Sequence, residues 1–456
     1  MNTVKQKSIF TKYCFCIPMM ILSGILFTLL AWRMDPGTGP DEDMRFAVVN
    51  WIAVHSHLPT GFEEEIINPL WGYSYAFTPY LPSMISALFV KIAGIFSSSL
   101  NAACFAARLV NVFAGMGTVF VSFRVGDKLL DNRYSVYFMA GTVAFLPQFV
   151  FLSSCINNDI VSLLSAFMIL DAVLDGARDG WKTRSMAYLS AGTALCLLTY
   201  YFGYAWVLFA LAGFFCTSHK RGESAKATWR KAGLIALAVF VLAGWYFIRN
   251  GIIYHGDFLG YKTQALCASD YAASHNTYLA NNPGKLSMHL RDMLHNGRWM
   301  ETTMESFIGM FGGMIICLDG KFYDFYQAGF WFCILLFALY RYRTKEKIST
   351  ALLIAFGCAT AFPVAFSIYS SYTRDYQPQG RYVFSIIPVL AVLAAVGIDE
   401  FSKAAQNKYK FGKYIPAAAA VILFLVFAVI YYTVMLPTLA YIILPGADRV
   451  MFYYVR

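Results

Sequence analysis

The order of apolar and polar positions is that of membrane spans rather than of a soluble core: long apolar runs alternate with short polar stretches. Eleven runs stand out, at about 13–32, 101–123, 134–154, 159–175, 184–200, 202–217, 231–248, 327–341, 349–370, 382–398 and 414–436. They come near the roughly 20 residues a helix needs to cross the hydrocarbon core. The pattern predicts an all-α polytopic membrane protein with about 11 transmembrane helices. No small-residue cleavage site follows residue 32, so the first run reads as a retained span.

The polar stretches alternate in character. Lys5, Lys7 and Lys12 precede the first run. Basic clusters recur at Arg124, Lys128 and Arg133, at Arg178, Lys182 and Arg184, and at Lys220, Arg221, Lys226, Arg230 and Lys231. Two more follow, from Arg341 to Lys347 and from Lys403 to Lys413. All fall on one side if the amino terminus is cytoplasmic, as positive-inside bias requires. Residues 79–96 break the count, because as a span they would put every later basic loop outside. They read instead as an interfacial helix on the outer face, with Lys91 snorkelling to the headgroups. The carboxyl terminus then lies outside. The external parts are residues 33–100, the turn 155–158, 249–326, 371–381 and the tail. Segments 33–100 and 249–326 are longer than connectors need and predict helices against the membrane face. No internal repeat divides residues 1–456, which read as one transmembrane domain.

Composition agrees. Of 456 residues, 58% are hydrophobic and 14% charged, against about 25% charged in soluble proteins. The net charge is +10, but the basic residues sit in short loops, where they set topology. The bilayer is the expected partner and nucleic acid is not. The ten cysteines follow no metal-like spacing. His55, His57, Glu63, Glu64 and Glu65 match no strong ligand motif.

The densest chemistry follows the first run. Asp35-Pro-Gly-Thr-Gly-Pro-Asp-Glu-Asp-Met-Arg45 places Asp35, Asp41, Glu42 and Asp43 at a membrane surface. A helix starting after Pro40 would carry Met44, Val48, Ile52 and His55 on one stripe. Its first acids then have two readings. They complement the helix dipole, or one is a general base that takes a proton from a hydroxyl. The Pro-Gly-Thr-Gly-Pro approach, which no cap needs, favours the second. Asn158 and Asp159 at the next outer turn are likewise a cap or part of a site.

Candidate cations lie near the same face. Arg108 stands near the outer end of its span and Arg249 ends another; both are also what snorkelling anchors look like. In Tyr372-Thr-Arg-Asp-Tyr-Gln-Pro-Gln-Gly-Arg-Tyr382, positive-inside bias disfavours Arg374 and Arg381, so something external should need them. A guanidinium fork suits phosphate oxygens, and Gln379 and Tyr382 would line the same place. Glu305-Ser-Phe-Ile-Gly-Met-Phe-Gly-Gly313 reads as a close-packed re-entrant or interfacial helix.

These pieces in this order resemble the GT-C superfamily of membrane glycosyltransferases, near its bacterial protein O-mannosyltransferases and lipid A aminoarabinose transferases. The residues that carry the likeness are Pro-Asp41-Glu42, Thr78-Pro79, Ala107-Arg108-Leu109, Asn158-Asp159 and Gln379-Gly380-Arg381-Tyr382. The resemblance implies a GT-C-like bundle, a polyprenyl-phosphate-linked sugar donor and a glycan, lipid or protein acceptor. By position it implies that Asp41 is catalytic, with Glu42 as the alternative in register and Asp159 a second acid beside the site. Arg108 would contact the donor phosphate, with Arg381 and Arg249. Asn158, Arg374, Gln379 and Tyr382 would touch substrate. No cofactor is expected. A divalent ion is not favoured, because no second strong ligand set accompanies Asp41. The rival class is a transporter or flippase of lipid-linked sugars, which would place ionisable residues near mid-membrane; here the polar residues gather at one face.

Overall fold

The structure is a computed structural model that describes residues 14–272, 282–345 and 348–439. Lys5, Lys7 and Lys12, and the tail expected outside, lie beyond the described residues.

Every predicted run is helical. The first is α1 (Ile17–Arg33). The first external segment folds as α2 (Glu42–His55) and α3 (Leu81–Phe96). Then come α4 (Leu100–Leu129), α5 (Arg133–Ala144), α6 (Pro147–Ser153), α7 (Asp159–Asp179), α8 (Thr183–Leu197), α9 (Ala205–Lys220) and α10 (Ala225–Ile253). The second external segment holds α11 (Tyr261–Ala272), α12 (Leu290–Leu294), α13 (Trp299–Gly309) and a two-stranded hairpin, β1 (Met310–Phe311) with β2 (Ile316–Cys317). The chain closes with α14 (Gly320–Leu339), α15 (Arg341–Thr344), α16 (Thr350–Thr373), α17 (Ile387–Gln406), α18 (Ile415–Ile430) and, after a π-turn, α19 (Leu436–Leu439).

By length and composition, eight helical segments of the described residues suffice to cross a membrane. A ninth arises if α5 and α6 count as one broken span; they meet at 63°. Pro147 opens α6 and cannot continue α5. The α1 and α8 helices, 17 and 15 residues long, are shorter than those eight. Residues 79–96 give α3, a 16-residue apolar helix packed on α2 and α4 with Leu88, Ile92, Ile95 and Phe96 exposed. Residues 305–313 are not one helix. The α13 helix stops at Gly309, and Gly312, Gly313 and Met314, all at positive φ, turn the chain into the hairpin.

The centre of the bundle is α4, α7 and α17, whose membrane stretches are 67%, 72% and 78% buried, whereas α10 is 17% buried. Each end of the central helices is marked by charge. Toward the far end of α7, buried Asp171 forms ion pairs with Lys128 at 2.6 Å and Arg124 at 2.8 Å, and Asp175 pairs with both as well. The near end of α7 begins at Asp159, about 18 Å away along the axis.

Candidate active site

The turn before α2 decides which carboxylate faces where. Asp41 has φ 53°, a left-handed conformation that aspartate tolerates better than most residues. It occupies the capping position of α2 but its side chain makes no capping bond. Instead Asp41 Oδ2 accepts from Arg381 Nη2 at 2.7 Å and from the Tyr75 hydroxyl at 2.9 Å. Among the described residues nothing bonds to Oδ1, and the side chain keeps 28% of its exposure. Burial raises the Asp41 carboxyl, but the Arg381 and Arg45 charges and the two hydrogen bonds outweigh it and hold the group below the usual carboxylate range. Burial and the Asp41 charge keep the Tyr75 phenol protonated.

Glu42, one residue on, points the other way into the protein. Its Oε1 accepts from Arg108 Nε at 2.8 Å and from the Ile156 amide at 2.9 Å. Its Oε2 accepts from Arg108 Nη2 at 2.7 Å and from the Gly39 amide at 3.1 Å. Arg108 gives its remaining donors to the carbonyls of Ala31, Met34 and Asp35 at 2.6–2.8 Å. All five guanidinium N–H groups are therefore used. Sequence position suggested Arg108 for the phosphate and Glu42 as an alternative base. The geometry corrects both, because neither has a free donor or acceptor. They staple the end of α1, the start of α2, α4 and the α6–α7 turn into one frame, and Asp41 sits on it.

Arg381 reaches Asp41 from the short 3₁₀ segment Gly380–Ile386 that leads into α17. Its Nε donates to Gln379 Oε1 at 2.6 Å and its Nη2 also reaches the Tyr382 hydroxyl at 3.1 Å. That hydroxyl donates to Gln377, and Gln377 in turn donates to Asp375. Gly380 makes the approach possible: a Cβ there would meet the Phe307 backbone nitrogen of α13 at 2.1 Å.

Among the described residues, three buried polar groups around this pair have atoms without a hydrogen-bond partner. Arg381 Nη1, Arg45 Nε and both carboxylate oxygens of Asp159 make no hydrogen bond. Arg381, Arg45 and Asp41 are the charged neighbours of Asp159. Arg45 lies 4.4 Å over the Tyr75 ring. Burying ionised groups without partners is costly, and their gathering beside an ion pair makes this the candidate ligand site. Asp159 is not the cap of α7; Asn157 Oδ1 accepts from the amides of Asp159 and Ile160.

The remaining candidates divide. Gln379 and Tyr382 join Arg381. Asn158 does not; its amide is spent on the carbonyls of Pro79 and Thr199 at 3.0 and 2.8 Å. Arg249 is fixed to the first external segment by the Pro59 carbonyl at 2.6 Å. Arg374 lies over the Tyr261 ring at 4.0 Å, on the wall of an adjoining cavity. Arg45 and Tyr75 were not singled out in the sequence. The one signal for Arg45 was its place four residues after Asp41, which puts both on the same side of the helix start.

No family model matches the chain, and no curated protein matches it. Solved structures do. The chain shares its fold with solved membrane proteins of known kind. The archaeal oligosaccharyltransferase AglB from Archaeoglobus fulgidus in its apo form superposes with a TM-score of 0.56 at 15% identity, over 95% of this chain and 57% of that one. ArnT from Cupriavidus metallidurans bound to undecaprenyl phosphate gives 0.52 at 13% identity, over 95% of this chain and 74% of that one. The chain spans a little over half the length of the oligosaccharyltransferase structures it matches.

Proposed function

We propose that this protein transfers a sugar from a polyprenyl-phosphate donor to an acceptor hydroxyl at the outer face of the membrane, with inversion. One observation carries the reading. An ionised carboxylate with one open oxygen is held by a guanidinium whose Nη1, like Arg45 Nε and the neighbouring Asp159 carboxylate, has no hydrogen-bond partner among the described residues. The fold supports it, and among its neighbours ArnT is bound to undecaprenyl phosphate and AglB to a dolichol-phosphate. The orientation follows from charge. Basic loops flank the pole with Asp171, opposite Asp41, so positive-inside bias assigns that pole to the cytoplasm and the site to the outer face.

In this reading the donor phosphate bonds Arg381 Nη1 and Arg45. An acceptor oxygen attacks the anomeric carbon from the opposite face. Its proton passes to Asp41 Oδ1, the new carbon–oxygen bond forms, and the electron pair of the breaking bond leaves with the phosphate. Charge grows on that phosphate as the bond breaks, so the guanidinium groups act mainly on the transition state. No step is assigned to a metal ion. Hydrocarbon has a slot within the spans, a cavity of about 340 Å³ lined by Leu197, Phe214, Val239, Phe240 and Phe247.

The test is purified protein incubated with a panel of radiolabelled polyprenyl-phosphate sugars. Release of polyprenyl phosphate from one of them, with the label in product or free sugar, is expected. Uptake of labelled lipid-linked sugar by proteoliposomes with no bond broken would replace the reading with a transporter.

A further inference from the structure

A second cavity, of about 650 Å³, opens beside the Asp41–Arg381 pair and shares Tyr382 with it. Tyr73, in ring contact with Tyr75, belongs to the same wall. The volume is typical of small-molecule sites, about 300–1,000 Å³. We infer that this cavity holds the acceptor, and that the acceptor is a carbohydrate chain. The inference rests on the transferase reading above and names the substrate class of that site.

The lining supports this on two counts. Half-buried rings come from separate segments: Trp71 and Tyr73 from the first external segment, Tyr200 from the α8–α9 turn, Tyr261 from α11 and Tyr382 from before α17. Aromatic faces carry partial negative charge and take the C–H face of a pyranose ring by stacking. Between the rings stand planar amides and a carboxylate, Gln264, Asn282, Gln377 and Asp375. Each offers paired acceptors, or a donor beside an acceptor, which is what adjacent sugar hydroxyls require. Burial first, and the Asp41 charge, push Asp375 above the usual carboxylate range despite the Gln377 bond.

The alternatives fit less well. A hydrocarbon chain wants an apolar wall such as the smaller cavity provides, not amides and a carboxylate. An extended peptide is commonly read by main-chain bonding along a strand edge. The β1–β2 hairpin contributes nothing to this wall, which is built from loops and helix ends.

The experiment uses the full-length protein in nanodiscs, titrated with neutral gluco-, manno- and galacto-trisaccharides and with a Ser/Thr-containing octapeptide. Tryptophan fluorescence and saturation-transfer NMR of the sugar ring protons are the readouts. At least one trisaccharide should bind saturably, with a fluorescence change that Trp71→Phe removes. Tyr261→Ala and Gln264→Ala should each weaken binding, the first by about tenfold, as loss of one stacking contact implies. Binding should persist in Asp41→Asn, where transfer is lost. Binding of the peptide instead, no binding of any trisaccharide, or binding untouched by both wall substitutions overturns the inference. The two readings fail separately. Sugar binding with no donor turnover by the wild-type protein sinks the transferase reading alone. Donor turnover with no sugar binding sinks this one.

Discussion

Asp41 and Glu42 are neighbours in sequence and opposite in circumstance. The left-handed backbone at Asp41 turns its carboxylate toward Arg381 while Glu42 enters the frame with Arg108. Sequence alone saw four acids and could not separate these two, because nothing in residue type announces the turn. It also read Arg108 by its height in the span and could not see the carboxylate and three carbonyls that exhaust it. Removing one partner of a fully buried pair leaves the other charge stranded, at a cost of about 3–5 kcal/mol. Arg108→Ala should therefore lower the thermal stability of the protein by that order in detergent, and an unchanged melting point would contradict the staple. The pH dependence separates the two acids from ordinary carboxylates. Asp41 in the folded protein titrates below its unfolded value near 3.9. Its pairing thus contributes stability fully above about pH 4 and loses it as pH falls through the folded value. A donor phosphate on Arg381 Nη1 offsets the guanidinium charge that holds Asp41 down, so the proton affinity of Asp41 rises in the donor complex. The acid limb of kcat, which reports the donor-bound form, should then lie at higher pH than that of kcat/KM. Coincident limbs would contradict phosphate binding at Arg381.

At the scale of elements, the helices were legible because apolar runs of membrane length have few alternative folds. All eleven runs became helices, and 79–96 became a separate short one. Less legible were the places where a local breaker wins over the run. Pro147 splits 134–154 into α5 and α6, and the glycines after α13 replace a continuous helix with a hairpin. The join between α13 and the residues before α17 was also hidden, because it depends on what Gly380 lacks. There the Gly380 amide donates to Ser306 Oγ at 2.6 Å and no side chain fits against Phe307. Gly380→Ala must push these segments apart and carry Arg381 with them. Overpacking of this kind costs about 1–3 kcal/mol, and a displacement of about 1 Å at a reacting centre can cost on the order of 10²-fold in rate. Turnover and melting temperature measured together check this. Full activity in Gly380→Ala would mean that Arg381 tolerates the shift.

Across the whole molecule, charge is sorted to the two poles of a buried three-helix centre. One pole carries two acids ion-paired with two bases, Asp171 and Asp175 with Arg124 and Lys128, whose charges cancel. At the other, Asp41 and Arg381 meet while the Asp159 carboxylate and Arg45 Nε have no hydrogen-bond partner among the described residues. The Asp41–Arg381 pair joins residues 340 positions apart in sequence. The most direct measurement is the transfer rate of Asp41→Asn from a radiolabelled polyprenyl-phosphate sugar, beside its melting temperature. Loss of a general base predicts a fall of roughly 10²–10⁴-fold with the fold intact. Wild-type turnover in that variant would contradict the account at its centre.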